Sequence, residues 1–211
     1  MNVRQILSRF VSSVTVDMHR TRQRALNACV SSLADGASLT VTSMGRGLSS
    51  NALEKHSIKR ADRLCSNANL QAERIAIYCR IVSLFVTPKS RPVIQVDWSD
   101  LDGNKHLFLL KAALSFDGRA ITLYEEVHGK ETRERPVTHA AFLNQLADLL
   151  PPDCKPIIVS DAGFRGSWFK QVSALKWHYV GRVRGQSTLS EDGENWFHWK
   201  KLAPLNNCSE M

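Results

Sequence analysis

The sequence has few of the features that mark disulfide-rich, zinc-binding or membrane-spanning proteins. Its five cysteines are odd in number and widely spaced, without a C-x-x-C pair, which argues against a disulfide framework and a zinc ribbon. The seven histidines include no H-x-x-x-H pair, which argues against a zinc hydrolase. No apolar run approaches the length of a membrane span, and the N-terminus lacks a signal-peptide pattern. We therefore expect a cytoplasmic protein that does not bind membranes.

The charge of the chain is unevenly distributed. Of its 211 residues, 43% are hydrophobic, which is enough for one sizeable domain or two small ones. Residues 1–90 carry 13 Lys and Arg against 5 Asp and Glu, whereas residues 91–211 carry 15 of each, so the whole net charge of +8 lies in the first part. This asymmetry favours a polyanion-binding segment joined to a neutral domain. A solvated basic surface without a partner is the alternative.

Residues 1–88 have the periodicity of helices and are predicted to form a helical DNA-binding domain. Asp35-Gly36 is a helix stop signal, and a short segment, "LTVTSMGRGL", precedes a basic helix in "EKHSIKRADRLC". Two short helices about a joint rich in Gly and Ser resemble a helix-turn-helix, although many three-helix bundles share this pattern. The candidate DNA-binding residues on the basic helix are Lys55, Lys59, Arg60 and Arg63.

Beyond the linker "TPKSRP", the pattern changes to strands and helices in the order βββαβαβ. Three strands separated by turns at Asp102-Gly103 and Asp117-Gly118 precede a helix that we expect to be capped by Thr138. A short apolar strand, a helix and a last strand in "WHYVGRVRG" follow. The order predicts an α/β domain with a mixed sheet over residues 89–202, followed by an irregular tail at 203–211.

Two aspartates stand at the ends of two predicted strands, Asp97 in "VIQVDWSD" and Asp161 in "PIIVSDAGF". If the two strands are parallel neighbours, the carboxylates come together at the edge where α/β sheets bind ligands. Two adjacent carboxylates repel each other, and a divalent cation such as Mg²⁺ or Mn²⁺ removes that repulsion. The alternatives are that Asp161 is only a helix N-cap and that Asp97 and Asp100 are turn carboxylates.

Four short motifs, "VDWSD", "LYE", "IVSDAGF" and "VGRVRG", together resemble those of the insertion-sequence-four family of bacterial cut-and-paste DDE transposases. The segment "HSIKRADRLCSN" also matches the N-terminal region of that family, and the resemblance runs from about residue 20 to about residue 200. It implies a ribonuclease H-like fold, DNA transposition, and double-stranded transposon ends as partners. A homo-oligomer with full-length transposase is a further implied partner.

The resemblance also implies roles for individual residues. Asp97 and Asp161 match two of three carboxylates that bind two Mg²⁺ or Mn²⁺ ions and act on DNA phosphodiesters. Arg182 falls where the family carries a basic residue facing DNA phosphate, an ordinary edge-strand arginine being the alternative. The third acid of the family is a glutamate in a Tyr-Arg-Glu-Lys type motif, which this sequence lacks. We therefore expect a transposase fragment, truncated before the catalytic glutamate, that binds insertion-sequence ends but is inactive alone.

Two other functions stay open from the sequence. The chain could be a non-catalytic DNA-binding repressor, or an inhibitor of full-length transposase. It could also be a small ribonuclease H-like nuclease with a complete site of its own, for which Asp100, Glu125 or Glu194 would have to supply the third carboxylate.

Overall fold

The computed structural model describes residues 2–182, 188–189, 195 and 197–198. The chain divides into two compact units, which we call the helical unit and the sheet unit. The helical unit comprises the residues up to Thr87 together with Leu149–Pro151, and the sheet unit comprises the remainder from Pro88 onwards. Among the described residues, no helix is long and apolar enough to cross a membrane.

The helical unit contains five helices, and four of them begin at a residue whose side chain accepts a capping hydrogen bond, the His19 ring before the second helix among them. They are α1 (Val3–Val14), α2 (Arg20–Ala34), α3 (Val41–Arg46), α4 (Glu54–Cys65) and α5 (Ala68–Phe85). Asn2, Thr40 and Asn67 accept hydrogen bonds from backbone N–H groups in the first turns of α1, α3 and α5, which satisfies donors that the helix itself leaves free. Gly36, with a φ of 104°, follows the last turn of α2, as the Asp35-Gly36 signal predicts.

The core of the helical unit joins α2, α3 and α4. Its buried members are Cys29, Met44, Leu48, Ala61 and Leu64. The two short helices α3 and α4 approach each other closely at Gly45, where an added Cβ would lie 2.9 Å from the backbone nitrogen of Ile58 and closer still to its Cα. Only glycine fits this contact without a shift of the backbone. Cys65, the last residue of α4, is exposed.

The sheet unit is built on a five-stranded mixed sheet. Its strands are β1 (Val93–Asp100), β2 (Leu107–Phe116), β3 (Arg119–Gly129), β4 (Ile157–Ser160) and β5 (His178–Gly181), in the order β3-β2-β1-β4-β5. β1, β2 and β3 pair antiparallel, whereas β4 is parallel to both β1 and β5. The predicted βββαβαβ order and mixed sheet are confirmed. The end of the last predicted strand, 183–185, and the predicted tail, 203–211, lie outside the described residues.

The two crossovers of the sheet unit are helices α6 (Pro136–Leu149) and α7 (Gly166–Ala174). The prediction that Thr138 caps α6 is wrong, because the helix begins two residues earlier. Proline is well suited to the first helical position, where no backbone N–H is needed. The Thr138 hydroxyl instead donates a hydrogen bond to the carbonyl of Thr132 at 2.8 Å, which fastens the preceding loop to the first turn.

The two faces of the sheet differ in what covers them. On one face, Ile94, Val96 and Ile158 are buried, the rings of Tyr124 and Phe142 of α6 stack at 5.1 Å between centroids, and Trp168 of α7 donates a hydrogen bond to Ser160. On the other face, the alternate residues of β1 are all exposed, namely Val93, Gln95, Asp97 and Ser99. We call these the helix-covered face and the open face.

Candidate functional site

The parallel pairing of β1 with β4 brings the two predicted aspartates to adjacent positions. Val96 on β1 is the register partner of Ser160, the last residue of β4. Asp97 and Asp161 are the residues that follow Val96 and Ser160 in the sequence, and both are exposed. Adjacent strands lie about 4.8 Å apart, so the two carboxylates stand at the carboxyl edge of two neighbouring parallel strands. This is the edge at which α/β sheets bind ligands.

Arg182 joins the same row from the third parallel strand. Ser160 is the register partner of Gly181 at the end of β5, and the backbone N–H of Arg182 donates to the carbonyl of Ser160 at 3.2 Å. The side chain of Arg182 is exposed. Asp97, Asp161 and Arg182 thus lie in a single row across three strands, with two negative charges beside one positive charge. Asp161 and Arg182 directly follow β4 and β5. The prediction that Asp97 ends its strand is wrong, because β1 continues to Asp100 through its pairing with β2.

The loop after β4 shows that Asp161 is not a helix cap. Its Oδ1 accepts a hydrogen bond from the backbone N–H of Gly163 at 2.8 Å, and helix α7 begins later, with Arg165 at its N-cap position. The N-cap alternative for Asp161 is therefore wrong. The carboxylate instead closes a tight turn of the kind that aspartate forms with its own backbone, and its remaining lone pairs can bind a cation.

The donor set at this edge suits a divalent cation that keeps most of its water. Within the described part of the chain, no group of three or more His, Cys, Asp or Glu side chains could hold a metal together. Asp97 and Asp161 offer two carboxylates, and Mg²⁺ in nucleic-acid enzymes is commonly held by one or two carboxylates, water and substrate phosphate. The two aspartates therefore fit Mg²⁺ or Mn²⁺ with water among the further ligands.

Two other acids considered from the sequence lie away from this pair. Asp100 is on the side of β1 opposite to Asp97, because strand side chains alternate, and its carboxylate lies 3.7 Å from Lys105 and 3.8 Å from Arg133. Glu125 is two strands from Asp97, since Lys111 is the register partner of both. The third, Glu194, lies outside the described residues. The described acids therefore give no support to a complete nuclease site.

On the helix-covered face, a hydrogen-bonded cluster lies behind the end of β1. The carboxylate of Glu126 accepts hydrogen bonds from the Tyr124 hydroxyl and lies 2.8 Å from His128 Nε2. The indole of Trp98 meets the His128 ring edge-on at 5.4 Å and donates to His139 Nε2 at 3.2 Å. Burial lowers the pKa of His139 below its ordinary value, with a smaller raising effect from Glu134, so its ring is neutral near pH 7.

In the helical unit, three of the four predicted DNA-binding residues line one broad cleft. Lys59, Arg60 and Arg63 of α4 form one wall, and the first turns of α2 form the other. The cleft has a volume of about 900 Å³, and the α2 wall contributes His19, Thr21, Arg22 and Arg24. Lys55 is exposed one turn before Lys59 on α4, outside the lining of the cleft.

Most of the positive charge in this cleft is not neutralised by the protein. Arg22 is the exception, since it forms a two-point ion pair with Glu73, and hydrogen bonding within the pair raises the pKa of Arg22 and lowers that of Glu73. As far as the structure describes the chain, Arg24, Lys59 and Arg63 form no ion pair, and Arg60 donates to the carbonyl of Arg24 at 3.3 Å. The cleft therefore presents several free cations to an anion.

Sequence reasoning missed residues whose position depends on packing between distant segments. The α2 wall of the cleft includes His19 and Arg24. Their basic character is visible in the sequence, but the sequence does not show that they lie opposite α4. Lys111 sits beside Asp97 because β2 pairs antiparallel with β1 in one register. His139 contacts Trp98 across 41 positions of the chain, and no local signal marks it.

Comparison with known proteins gives one match. Neither a curated protein nor a solved structure matches the chain significantly. The family described as "Transposase DDE domain" matches residues 88–207, a span that contains both aspartates and Arg182. Because this match covers more than half of the chain, the protein belongs to the DDE transposase family, whose function is DNA transposition.

Proposed function

We propose that the protein binds the ends of an insertion sequence and carries two acids of a metal-dependent site for DNA strand cleavage and transfer. Within the DDE transposases, we assign the protein to the insertion-sequence-four group because its motifs "VDWSD", "IVSDAGF" and "VGRVRG" resemble those of that group. The observation that carries it is the row of Asp97, Asp161 and Arg182 behind the register pairs Val96–Ser160 and Ser160–Gly181.

Each residue of the row has a part that its chemistry suits. Asp97 and Asp161 hold Mg²⁺ or Mn²⁺ through hard carboxylate oxygens. A bound ion of this kind supplies the Lewis acidity that activates a water or a DNA 3′-hydroxyl and stabilises the leaving oxygen. The guanidinium of Arg182 donates charge-assisted hydrogen bonds to a DNA phosphate. Together these side chains orient one phosphodiester against the carboxylate pair.

Titration with Mn²⁺, followed by paramagnetic broadening of backbone amide signals, tests the carboxylate pair. We expect selective broadening around residues 97 and 161, with weak affinity because two carboxylates hold an ion less well than three. Asp97→Asn and Asp161→Asn should each abolish the broadening, while Asp100→Asn, whose side chain lies on the other side of β1, should not. Broadening that persisted in both of the first two variants would place the metal elsewhere.

DNA binding by the helical unit is the second part of the proposal, and it is supported by the basic cleft. The cations of α4 and α2 line the same cleft, which has a volume of about 900 Å³. Contacts of Lys and Arg with phosphate supply affinity without sequence information. This binding needs no metal, because its ligands are the phosphates themselves.

The absence of a third carboxylate partner among the described residues favours one alternative, a DNA-binding protein that does not cleave. Such a chain would occupy transposon ends and block or repress full-length transposase. Incubation of a supercoiled plasmid carrying the element ends with the protein and Mn²⁺ separates the two functions. We expect the chain alone to bind and not to nick. Nicking that disappeared in both Asp97→Asn and Asp161→Asn would show that another acid completes the site.

A further inference from the structure

Each of the two aspartates has a neighbour in sequence that points to the helix-covered face. Trp98 follows Asp97 on β1, and Ser160 precedes Asp161 at the end of β4. Because side chains alternate between the two faces of a strand, whatever restrains Trp98 and Ser160 also restrains the backbone from which the carboxylates project. Trp98 is partly buried and Ser160 is 5% exposed.

Trp98 is tied to helix α6 by its indole N–H. This group donates to His139 Nε2 at 3.2 Å, and His139 is only 4% exposed. Because Nε2 accepts this bond, the imidazole carries its proton on Nδ1. The His128 ring also packs edge-on against the same indole, at 5.4 Å between centroids, so two imidazoles restrain the indole.

Ser160 is tied to helix α7 in a corresponding way. The indole N–H of Trp168, a fully buried residue, donates to Ser160 Oγ at 3.0 Å. The Trp168 ring in turn meets the His139 ring edge-on, with 5.1 Å between centroids and 75° between planes. Phe164, in the loop after Asp161, packs against Trp168 and His139 at 4.6 Å and 5.3 Å. A continuous bridge thus runs through Trp98, His139, Trp168 and Ser160, which we call the indole–imidazole bridge.

We infer that the indole–imidazole bridge is a positioning device, which holds the Asp97 and Asp161 carboxylates at the spacing that a divalent cation requires. The inference rests on the proposed metal site and adds four residues to it. Both carboxylates are exposed, and only that of Asp161 is held by a hydrogen bond, from the Gly163 N–H. A metal site needs its ligands held to within about 0.5 Å by packed and hydrogen-bonded neighbours. The bridge supplies that restraint from behind the sheet.

The chemistry of the bridge explains why these residue types are used. An indole N–H is a donor only, and a neutral imidazole offers one acceptor nitrogen, so the Trp98–His139 bond has a single possible direction. Both rings are wide and rigid, with few rotatable bonds, and they fix the distance between α6 and the strand ends. A buried indole N–H without an acceptor would be destabilising, and here the acceptors tie α6 to Trp98 and α7 to Ser160.

A purely structural role predicts different behaviour from a positioning role. If the bridge only stabilised the fold, its variants would unfold more easily but bind Mn²⁺ normally while folded. If it positions the carboxylates, Mn²⁺ affinity falls even where the variant is fully folded. Loss of a hydrogen-bonding partner behind metal ligands typically weakens metal binding about 10- to 100-fold.

The test measures Mn²⁺ dissociation constants of the whole chain from the electron paramagnetic resonance signal of free Mn²⁺, with urea unfolding measured in parallel. Trp98→Phe removes the donor and keeps a ring, whereas His139→Leu removes the acceptor. His139→Gln restores an acceptor oxygen near the position of Nε2. Trp177→Phe is the matched control, since Trp177 is a buried indole of the same unit that is outside the bridge.

We expect about tenfold weaker Mn²⁺ binding for Trp98→Phe and His139→Leu, recovery in His139→Gln, and unchanged binding in Trp177→Phe. Unchanged binding in folded Trp98→Phe would overturn the inference, as would a His139→Gln variant as weak as His139→Leu. Should His139→Leu fail to fold, Trp98→Phe decides alone. Asp97→Asn is included as a reference. If this variant binds Mn²⁺ as tightly as the unchanged chain, the proposed metal site is wrong. If Asp97→Asn loses Mn²⁺ binding but Trp98→Phe does not, the metal site stands and only the positioning role of the bridge is rejected.

Discussion

The helical unit and the carboxyl edge of the sheet unit present charge in two different ways. In the helical unit, Lys59, Arg60, Arg63 and Arg24 are exposed side chains spread over two helices around a wide cleft. At the sheet edge, Asp97 lies within β1, whereas Asp161 and Arg182 directly follow β4 and β5, and backbone hydrogen bonds determine the register of all three strands. We expect binding by the first to depend on the number of charges, and binding by the second to depend on their positions.

This difference has a physical basis in the ligands. A DNA backbone is a line of evenly spaced phosphates, so flexible Lys and Arg side chains can contact it in many arrangements. A single divalent ion accepts only ligands within a few tenths of an ångström of its preferred distance. We therefore expect gradual effects from substitutions in the cleft and abrupt effects from substitutions at the sheet edge.

The largest graded effect should come from neutralising two cations of the cleft. Lys59→Gln with Arg60→Gln removes two phosphate contacts, and each contact contributes roughly tenfold to affinity near 0.1 M salt. We expect duplex DNA to bind on the order of 100-fold more weakly, with a salt slope reduced by about two. Fluorescence anisotropy over a range of salt concentrations measures both quantities.

The control for this variant is Arg9→Gln with Arg20→Gln, which removes the same charge from exposed positions of α1 and α2 outside the cleft. Mn²⁺ binding should be the same in both double variants, since the metal ligands are in the sheet unit. Equal losses of DNA affinity in the two would mean that net charge, and not the cleft, attracts DNA.

The second effect sharpens the comparison, because it concerns a close backbone contact in the helical unit, where the geometry is strict. Gly45→Ala puts a methyl group into the backbone of Ile58, and overpacking of this kind costs about 1–3 kcal/mol of unfolding free energy. Urea unfolding of the chain provides the measurement. Gly129→Ala, at a site with no atom within 4 Å of the added carbon, should have little effect. A Gly45→Ala chain as stable as the parent would mean that α3 and α4 can separate readily.

The third effect is smaller and lies at the sheet edge. Lys111 is the cross-strand neighbour of Asp97, and directly opposed residues have Cβ atoms about 5 Å apart. Its positive charge opposes a cation on the carboxylate, so Lys111→Met should strengthen Mn²⁺ binding about two- to fivefold, within the range of partly exposed charge pairs. Lys155→Met, at the opposite end of β4, provides the comparison. Weaker binding in Lys111→Met would mean that this lysine orients Asp97 instead of repelling the ion.

The parts of the fold that could be predicted are those set by local pattern. The Asp117-Gly118 turn has positive φ at both residues, as a two-residue hairpin of this composition requires. The alternation along "VIQVDWSD" correctly separates buried Ile94 and Val96 from exposed Asp97. Both aspartates were visible in the sequence because each directly follows an apolar run, but only Asp161 follows a strand end, since β1 continues to Asp100.

The parts that could not be predicted depend on which distant segments pack together. The start of α6 at Pro136 instead of after Thr138 follows from the loop bond between Thr138 and Thr132, which competes with capping. The contact of Trp98 with His139 requires α6 to lie across the end of β1, and the cleft requires α2 to face α4. Hydrophobic periodicity gives the faces of helices but not their neighbours.

The smallest effect concerns pH, and it connects the buried bridge with the stability of the sheet unit. The pKa of His139 is lowered by burial, with a raising influence from Glu134 and a further lowering one from His128. In the unfolded chain its pKa returns to about 6.5, so the unfolded state binds more protons in the window below that value. The contribution of neutral His139 to the free energy of unfolding is therefore fully present above about pH 6.5 and is lost as the pH falls towards the lower pKa of the folded state.

We expect urea unfolding midpoints to drop between about pH 7.5 and about pH 5.5, and to drop less in His139→Gln, which keeps the acceptor but cannot titrate. Equal drops of the unfolding midpoint in the parent and in His139→Gln would mean that other groups cause the loss of stability at low pH.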